Sequence, residues 1–531
     1  MSTIEISKKL IVINSTSSAI SLVVNVTVLL WLQQYLLRHI PPEEYSLIPI
    51  VLSVMAFAPL ITTVLTGGMA RYMTVAYARG DEEEVTRICS SMFPLLLMAG
   101  VALFILGLIL AWNIDSVLVI DPKYRFDAQI MLILMVFSTS LRLPITAFNS
   151  GFMVRQKLVW SDLIDIGCQF LRVGLLLVLL FEVSTRALWV TVALVISELV
   201  GMSITTPISM KLVPAQRFRF KMFKAALAKE ISKFGGWWLV GSLSDVLKRS
   251  MDPLILNRFA TAVDVTIFYV ADMGPRLLTQ VLTPITRPFY PILGAMYATQ
   301  DFIKLRNTYT RTARYHTWVV MMIAVPAMIF STQLMHLYLD GKYDEAGGVM
   351  AILLVVSVLA AMNALGSAVA LAAGDMKGLS LRVIVVQSVN LILTVLFVIY
   401  LQKGAYGSAY ATLTAFIFVE VTLKWPFCWK IAHTSFEDWF KEVFQPTIYT
   451  AIPSVILCFL CLKFSPPDSW IKLIVYSIFS AILYVITIVI IGIRQQDKID
   501  IYKFSHKAPH FLKPVLIYLS RGHGSDKNSQ H

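Results

Sequence analysis

Fourteen apolar windows, each long enough to cross a bilayer, succeed one another along almost the whole chain and leave only short polar or Pro/Gly-containing breaks. They fall at about 11–36, 46–70, 89–112, 127–148, 160–181, 187–210, 231–256, 265–286, 316–338, 347–372, 381–401, 406–429, 446–462 and 471–493. The runs are near-continuous rather than alternating apolar and polar, so the backbone must satisfy its own hydrogen bonds as helices and not as a barrel. Composition agrees: of 531 residues 57% are apolar and 15% charged, with a mean hydropathy of +0.72, against about 25% charged in ordinary soluble domains. A soluble enzyme is excluded. The expected fold is an all-α polytopic membrane protein with 14 transmembrane helices.

The net charge of +13 acquires meaning only by position. With the N-terminus inside, thirty-one Lys/Arg fall on the cytoplasmic side and nine on the other, the asymmetry that the positive-inside rule describes. Both termini are therefore expected in the cytoplasm, in a multi-pass protein of the cell inner membrane. The opening MSTIEISKKL leads into an apolar stretch without a small-residue cleavage pattern, which reads as a retained first span. The five cysteines, Cys89, Cys168, Cys428, Cys458 and Cys461, are scattered and suggest neither a disulfide framework nor a metal site.

Internal similarity appears at an offset of 220 residues. Tyr77-Ala78-Arg79-Gly80-Asp81 follows span two, Tyr297-Ala298-Thr299-Gln300-Asp301 follows span eight, and Lys157 and Lys377 precede spans five and eleven. Two pseudo-symmetric six-helix bundles around a central cavity are expected, with two appended C-terminal helices. The organisation reads as an N-terminal bundle over 1–212, a basic linker over 213–234, a C-terminal bundle over 235–432, two further spans over 433–495 and a basic tail over 496–531. The linker, AQRFRFKMFKAALAKEISKF from Ala215 to Phe234, spaces Phe218, Phe220, Phe223, Ala226 and Leu227 against Arg219, Lys221 and Lys224, a pattern suited to a helix on an anionic inner leaflet. An ordinary positive-inside loop is the competing expectation.

Five cations fall inside the apolar windows: Arg142, Arg172, Lys248, Arg249 and Arg276. At a helix centre each costs about 2.5–3.5 kcal/mol even on the lenient insertion scale, so each must face water or a partner. Glu198, Asp245, Asp272 and Glu420 are the candidate counter-charges. Asp245–Arg249 and Asp272–Arg276 are spaced i, i+4 and can neutralise each other along one helix. Gathered around a cavity, the five cations would instead hold an anion, most economically a phosphate, which guanidinium groups grip in a forked arrangement. Glu198, Asp245 and Asp272 would then be counter-charges that a proton or sodium ion modulates. Gly274 and Pro275 stand immediately before Arg276, and a bend there is expected. A polar span one, with Asn14, Ser15, Thr16, Ser17, Ser18, Asn25 and Thr27, is a second cavity wall or a packing face. No phosphate-cradling glycine loop or metal-ligand spacing occurs, so no cofactor, metal or catalytic residue is called for, nor any nucleic-acid partner.

The stretch SDVLKRSMDPLILNRFATAVDVTIFYVADMGPRLL, from Ser244 to Leu278, resembles the span-seven to span-eight region of the multidrug/oligosaccharidyl-lipid/polysaccharide exporter (MOP) superfamily, in its Wzx-like polysaccharide flippase branch. Asp252, Tyr269, Ala271, Pro291 and the turns at Gly80-Asp81 and Asp301 carry the likeness. The resemblance implies a flippase that moves an undecaprenyl-pyrophosphate-linked oligosaccharide from the inner to the outer leaflet for O-antigen or exopolysaccharide export. Its partners would be that lipid-linked substrate, membrane lipids and other polysaccharide assembly proteins. Tyr269-Val270-Ala271-Asp272 is also similar to a Tyr-Ala-Asp-Arg segment of lipid II flippases, but Met273 stands where that segment has Arg. A lipid II flippase is therefore the alternative, and a drug/cation antiporter of the same superfamily the next.

Overall fold

The computed structural model describes residues 8–66, 69–155, 157–286, 288–494 and 497, and every regular element among them is helical. The longer helices, numbered in chain order, are α1 (Lys8–His39), α2 (Leu47–Met55), α3 (Ala58–Thr66), α4 (Met69–Ala78), α5 (Glu82–Trp112), α6 (Arg125–Ile145), α7 (Leu158–Val178), α8 (Leu188–Leu212), α9 (Ala225–Phe259) and α10 (Ala262–Ala271). They continue as α11 (Met273–Thr286), α12 (Phe289–Ala298), α13 (Phe302–Ile329), α14 (Ser331–Leu339), α15 (Glu345–Ala361), α16 (Gly366–Ala372), α17 (Met376–Ile399), α18 (Gly404–Ala415), α19 (Gln445–Phe464) and α20 (Trp470–Thr487).

Among the described residues, eleven helical segments are long and apolar enough to cross a membrane, or twelve if α13 and α14, bent by 69° at their junction, form one broken span. The chain is a multi-pass membrane protein. The stretches expected as spans seven and eight fall outside that set. Asp245, Lys248, Arg249 and Asp252 break the apolar run of α9, itself one continuous helix, and the run after Thr261 is divided into the short α10, α11 and α12. On α5, by contrast, Met98, Leu106 and Trp112 are widely exposed; apolar side chains turned outward along a spanning helix face acyl chains.

The chain divides into two compact units, one of residues 1–270 with 383–415, the other of 271–382 with 416–531. In the first, α7 packs against α1 and α8, α8 against α6, and α6 against α5, while α9 lies along α2 and α3. The α5–α6 contact is close because Gly100 and Gly107 present no side chain: a Cβ at Gly100 would stand 2.6 Å from the Ser140 carbonyl oxygen, and one at Gly107 2.3 Å from Val136. In the second unit α13 is the hub, touching α11, α12, α15, α19 and α20.

The 220-residue offset is built into the backbone. Helices α5 and α13 begin at Glu82 and Phe302, and α6 and α15 at Arg125 and Glu345. The turn before α5 bonds Gly80 N–H to Tyr77 O at 3.0 Å and Asp81 N–H to Ala76 O at 3.0 Å; the turn before α13 bonds Gln300 N–H to Tyr297 O at 3.1 Å and Asp301 N–H to Met296 O at 3.0 Å. Gly80 (φ 74°) and Gln300 (φ 56°) both occupy the left-handed region. Asp81 and Asp301 then cap their helices, accepting from Glu84 N–H at 2.8 Å and Lys304 N–H at 3.1 Å.

Two local expectations are corrected. The linker is not one helix: from Val213 to Lys224 it is a non-helical strap with a single 3-10 turn at Phe220–Met222, and helix resumes only at Ala225. Side-chain hydroxyls on α5 hold the strap's backbone and so compete with helix formation. Thr86 donates to Ala215 O (2.8 Å), while Arg219 N–H donates to Ser90 (2.9 Å) and Lys224 N–H to Ser91 (3.0 Å). Near Gly274-Pro275 the helix is broken at Asp272, and Pro275 lies in the first turn of α11, where a missing N–H forfeits no helical bond. Gly274 lets α11 approach Met350 of α15, whose Sδ would stand 2.9 Å from a Cβ there.

Candidate substrate site

Helix α7 carries a polar stripe. Asp162, Asp165, Gln169 and Arg172 follow at i, i+3, i+7 and i+10, which places them on one face. Arg172 is half-buried; its Nε is sealed from solvent, and among the described residues the guanidinium makes no hydrogen bond and no ion pair. Among the described residues, Tyr269 of α10 and Glu198 of α8 are the ionisable groups near it. Glu198 is itself oriented by Ser138 of α6, which donates to its Oε2. The Tyr269 ring packs against Tyr45 with centroids 6.5 Å apart. Arg142 is exposed on α6, within electrostatic reach of Asp165. The first unit thus brings Arg172, Glu198 and Tyr269 together, and Arg142 with Asp165.

Asp162 and Asp165 were not among the charges singled out in the sequence. They open the fifth span instead of sitting mid-window, and the signal that identifies them is the helical stripe they share with Arg172.

On α9 the backbone is described through Asp245, Lys248 and Arg249, but the placement of these three side chains lies outside the described residues. One turn further, Asp252 is 5% exposed and receives hydrogen bonds from Thr394 of α17 (3.2 Å) and Ser408 of α18 (2.6 Å). Asn257 fastens the far end of α9 to the loop before α6 through two bonds with Val119, one to its carbonyl oxygen (2.8 Å) and one from its N–H (2.9 Å). Asp252 and Asn257 therefore fix α9 within the first unit by satisfied buried contacts.

Arg276 and Asp272 belong to the second unit and form the i, i+4 ion pair their spacing allows, Nε to Oδ2 2.9 Å. Glu420 is likewise taken up by its own helix, 2.7 Å from Lys424 Nζ. The most enclosed cation among the described residues is not one of the five inside the apolar windows. Arg314 on α13 is 1% exposed, and its terminal nitrogens reach both oxygens of Asp497 (2.6 and 2.8 Å) and the Glu442 carboxylate (2.8 Å). Tyr315 donates to Asp497, and Arg494 to Glu442. Among the described residues no group of three His, Cys, Asp or Glu side chains could hold a metal ion.

The chain matches the family model described as Polysaccharide biosynthesis protein over residues 9–297. It belongs to that family. An uncharacterised membrane protein of Bacillus subtilis (strain 168), EpsK, is 21% identical over 321 residues, 60% of this chain and 62% of the relative's own length. The match thus spans less than two thirds of that curated relative. Among solved structures, the lipid II flippase MurJ in an inward closed conformation superposes with a TM-score of 0.62 at 13% identity, over 90% of this chain and 98% of that one. An inward-facing multidrug resistance MATE transporter of the MOP superfamily gives 0.62 at 15% identity, over 78% and 95%. A MOP transporter from Pyrococcus furiosus Vc1 (DSM3638), described as having a binding pocket of reverse polarity, gives 0.58 at 15%, over 80% and 96%. This polysaccharide biosynthesis family member therefore has the fold of the MOP superfamily.

Proposed function

We propose that the protein is a flippase that moves an undecaprenyl-pyrophosphate-linked oligosaccharide from the inner to the outer leaflet of the cytoplasmic membrane for O-antigen or exopolysaccharide export. It does so as a chain of fourteen spans with both termini inside and no catalytic chemistry of its own. The observation that carries the reading is Arg172: a guanidinium on a spanning helix that no described carboxylate or carbonyl satisfies. A cation so placed gains most from a ligand that supplies anionic oxygens, and a pyrophosphate supplies them in forked geometry. Arg142, Lys248 and Arg249 are assigned to the same anion. Glu198 and Asp245 are counter-charges whose protonation or sodium binding would release it. Arg276 is a cation of second rank because Asp272 already holds it. Family membership and the shared fold support the transport class.

The test is a deletion strain complemented with the native protein or with Arg172→Ala. The expected result is accumulation of one lipid-linked oligosaccharide on the inner leaflet and loss of surface glycan, with normal amounts of the variant in the membrane. Unchanged glycan output with Arg172→Ala overturns the assignment. The lipid II reading is favoured by the length of the MurJ superposition; it requires that depletion arrest peptidoglycan synthesis instead of export of one glycan.

A further inference from the structure

The Val213–Lys224 strap is a surface that transport does not explain. It leaves the last helical turn of α8 and runs along the first turns of α5, two membrane-spanning segments, so it lies where the bundle meets water. Its backbone is pinned by the three hydroxyls described above; Ala215 and Gln216 are buried and the Phe218 ring leans on Phe93 of α5 at 5.1 Å, while the basic side chains, Phe220 and Phe223 stay exposed. Arg217, Arg219, Lys221 and Lys224 are all exposed, and none of them makes an ion pair among the described residues. Of the acids that open α5, Glu83 and Glu84 are held by Arg87, and Glu82 makes no ion pair with the strap among the described residues. No Asp or Glu occurs from Val213 to Lys229. Between the cations stand Phe218, Phe220 and Phe223, exposed by 39%, 81% and 43%.

Three exposed phenylalanines in water are unfavourable, and four unpaired cations repel one another. Both conditions are relieved by one surface, the border of a bilayer that carries negative headgroups. There the rings enter the acyl boundary and the cations meet phosphates. A protein partner would have to match a fixed pattern, whereas a lipid surface need supply only negative charge beside an apolar layer.

We propose that this strap is a binding site for anionic phospholipid headgroups, distinct from the Arg172 face and independent of what the protein transports. Full-length protein purified in detergent is titrated with phosphatidylglycerol or with phosphatidylcholine, and retained lipid is counted by native mass spectrometry. The variant with Arg217→Gln, Arg219→Gln, Lys221→Gln and Lys224→Gln is expected to bind phosphatidylglycerol at least roughly tenfold more weakly, because each cation near an anionic surface contributes several-fold. Its phosphatidylcholine binding should not change, and raising salt should erase the difference between native and variant protein. Phe220→Ser, which keeps every charge, should weaken both lipids by a smaller and equal factor. Unchanged phosphatidylglycerol binding in the fourfold variant, with thermal unfolding like that of the native protein, overturns the proposal. Equal losses for both lipids in that variant also overturn it, since the cations would then be acting on the protein and not on headgroup charge.

Discussion

Arg172 and Arg314 are both arginines of long helices with a buried, unpartnered Nε, and they differ in everything beyond that atom. The outer nitrogens of Arg314 close on Asp497 and Glu442, and Trp318 lies beneath its guanidinium carbon at 5.5 Å. Arg172 has Glu198 and Tyr269 within electrostatic range and a bond to neither. A guanidinium whose terminal nitrogens are held by carboxylates is part of the framework, since removing it strands the carboxylates. One left open is available to something that arrives and departs. Sequence position does not separate the two cases; the number of satisfied donors does.

The comparison can be broken in four ways. The largest effect is expected from Arg314→Ala, which leaves Asp497, 2% exposed, without its counter-ion. A loss of about 3–5 kcal/mol is expected, read as a large drop in unfolding temperature and in the amount of protein in the membrane. Arg172→Ala should leave stability almost untouched and weaken binding of a pyrophosphate-bearing lipid by about 3 kcal/mol, roughly a hundredfold, measured by titration of the purified protein. If instead Arg172→Ala unfolds the protein as Arg314→Ala does, the distinction between the two is lost. Arg172→Lys keeps the charge but not the fork, and should weaken the same lipid by roughly tenfold. The smallest change, Tyr315→Phe, deletes one hydrogen bond to Asp497 and should lower stability by about 1 kcal/mol with transport unaltered.

How much of this is legible in the sequence follows the range of the interactions. The all-helical class, the 220-residue offset and the Asp272–Arg276 pair depend on periodicity and near-neighbour spacing, which a linear string displays. The Arg314 cluster does not: Glu442 and Asp497 lie 128 and 183 positions away, so a count of cytoplasmic cations takes Arg314 for a loop charge. The strap fails for a related reason. Its phenylalanines and cations have amphipathic spacing, but hydroxyls from Thr86, Ser90 and Ser91, more than 120 residues earlier, capture its backbone. For Arg172 the sequence supplies the cation and its depth, and only the fold brings Glu198 and Tyr269 near it without bonding it.

The matched turns ahead of α5 and α13 do not cost the same to hold. Two loops 220 residues apart have the same bonding pattern and differ in the residue at the left-handed position. Gly80 adopts φ 74° freely, whereas Gln300 holds φ 56° with a side chain attached, a conformation that costs an L-residue about 1 kcal/mol. The second corner therefore holds its shape with a residue that the geometry disfavours, and Gln300→Gly is expected to relieve that cost without moving the Asp301 cap.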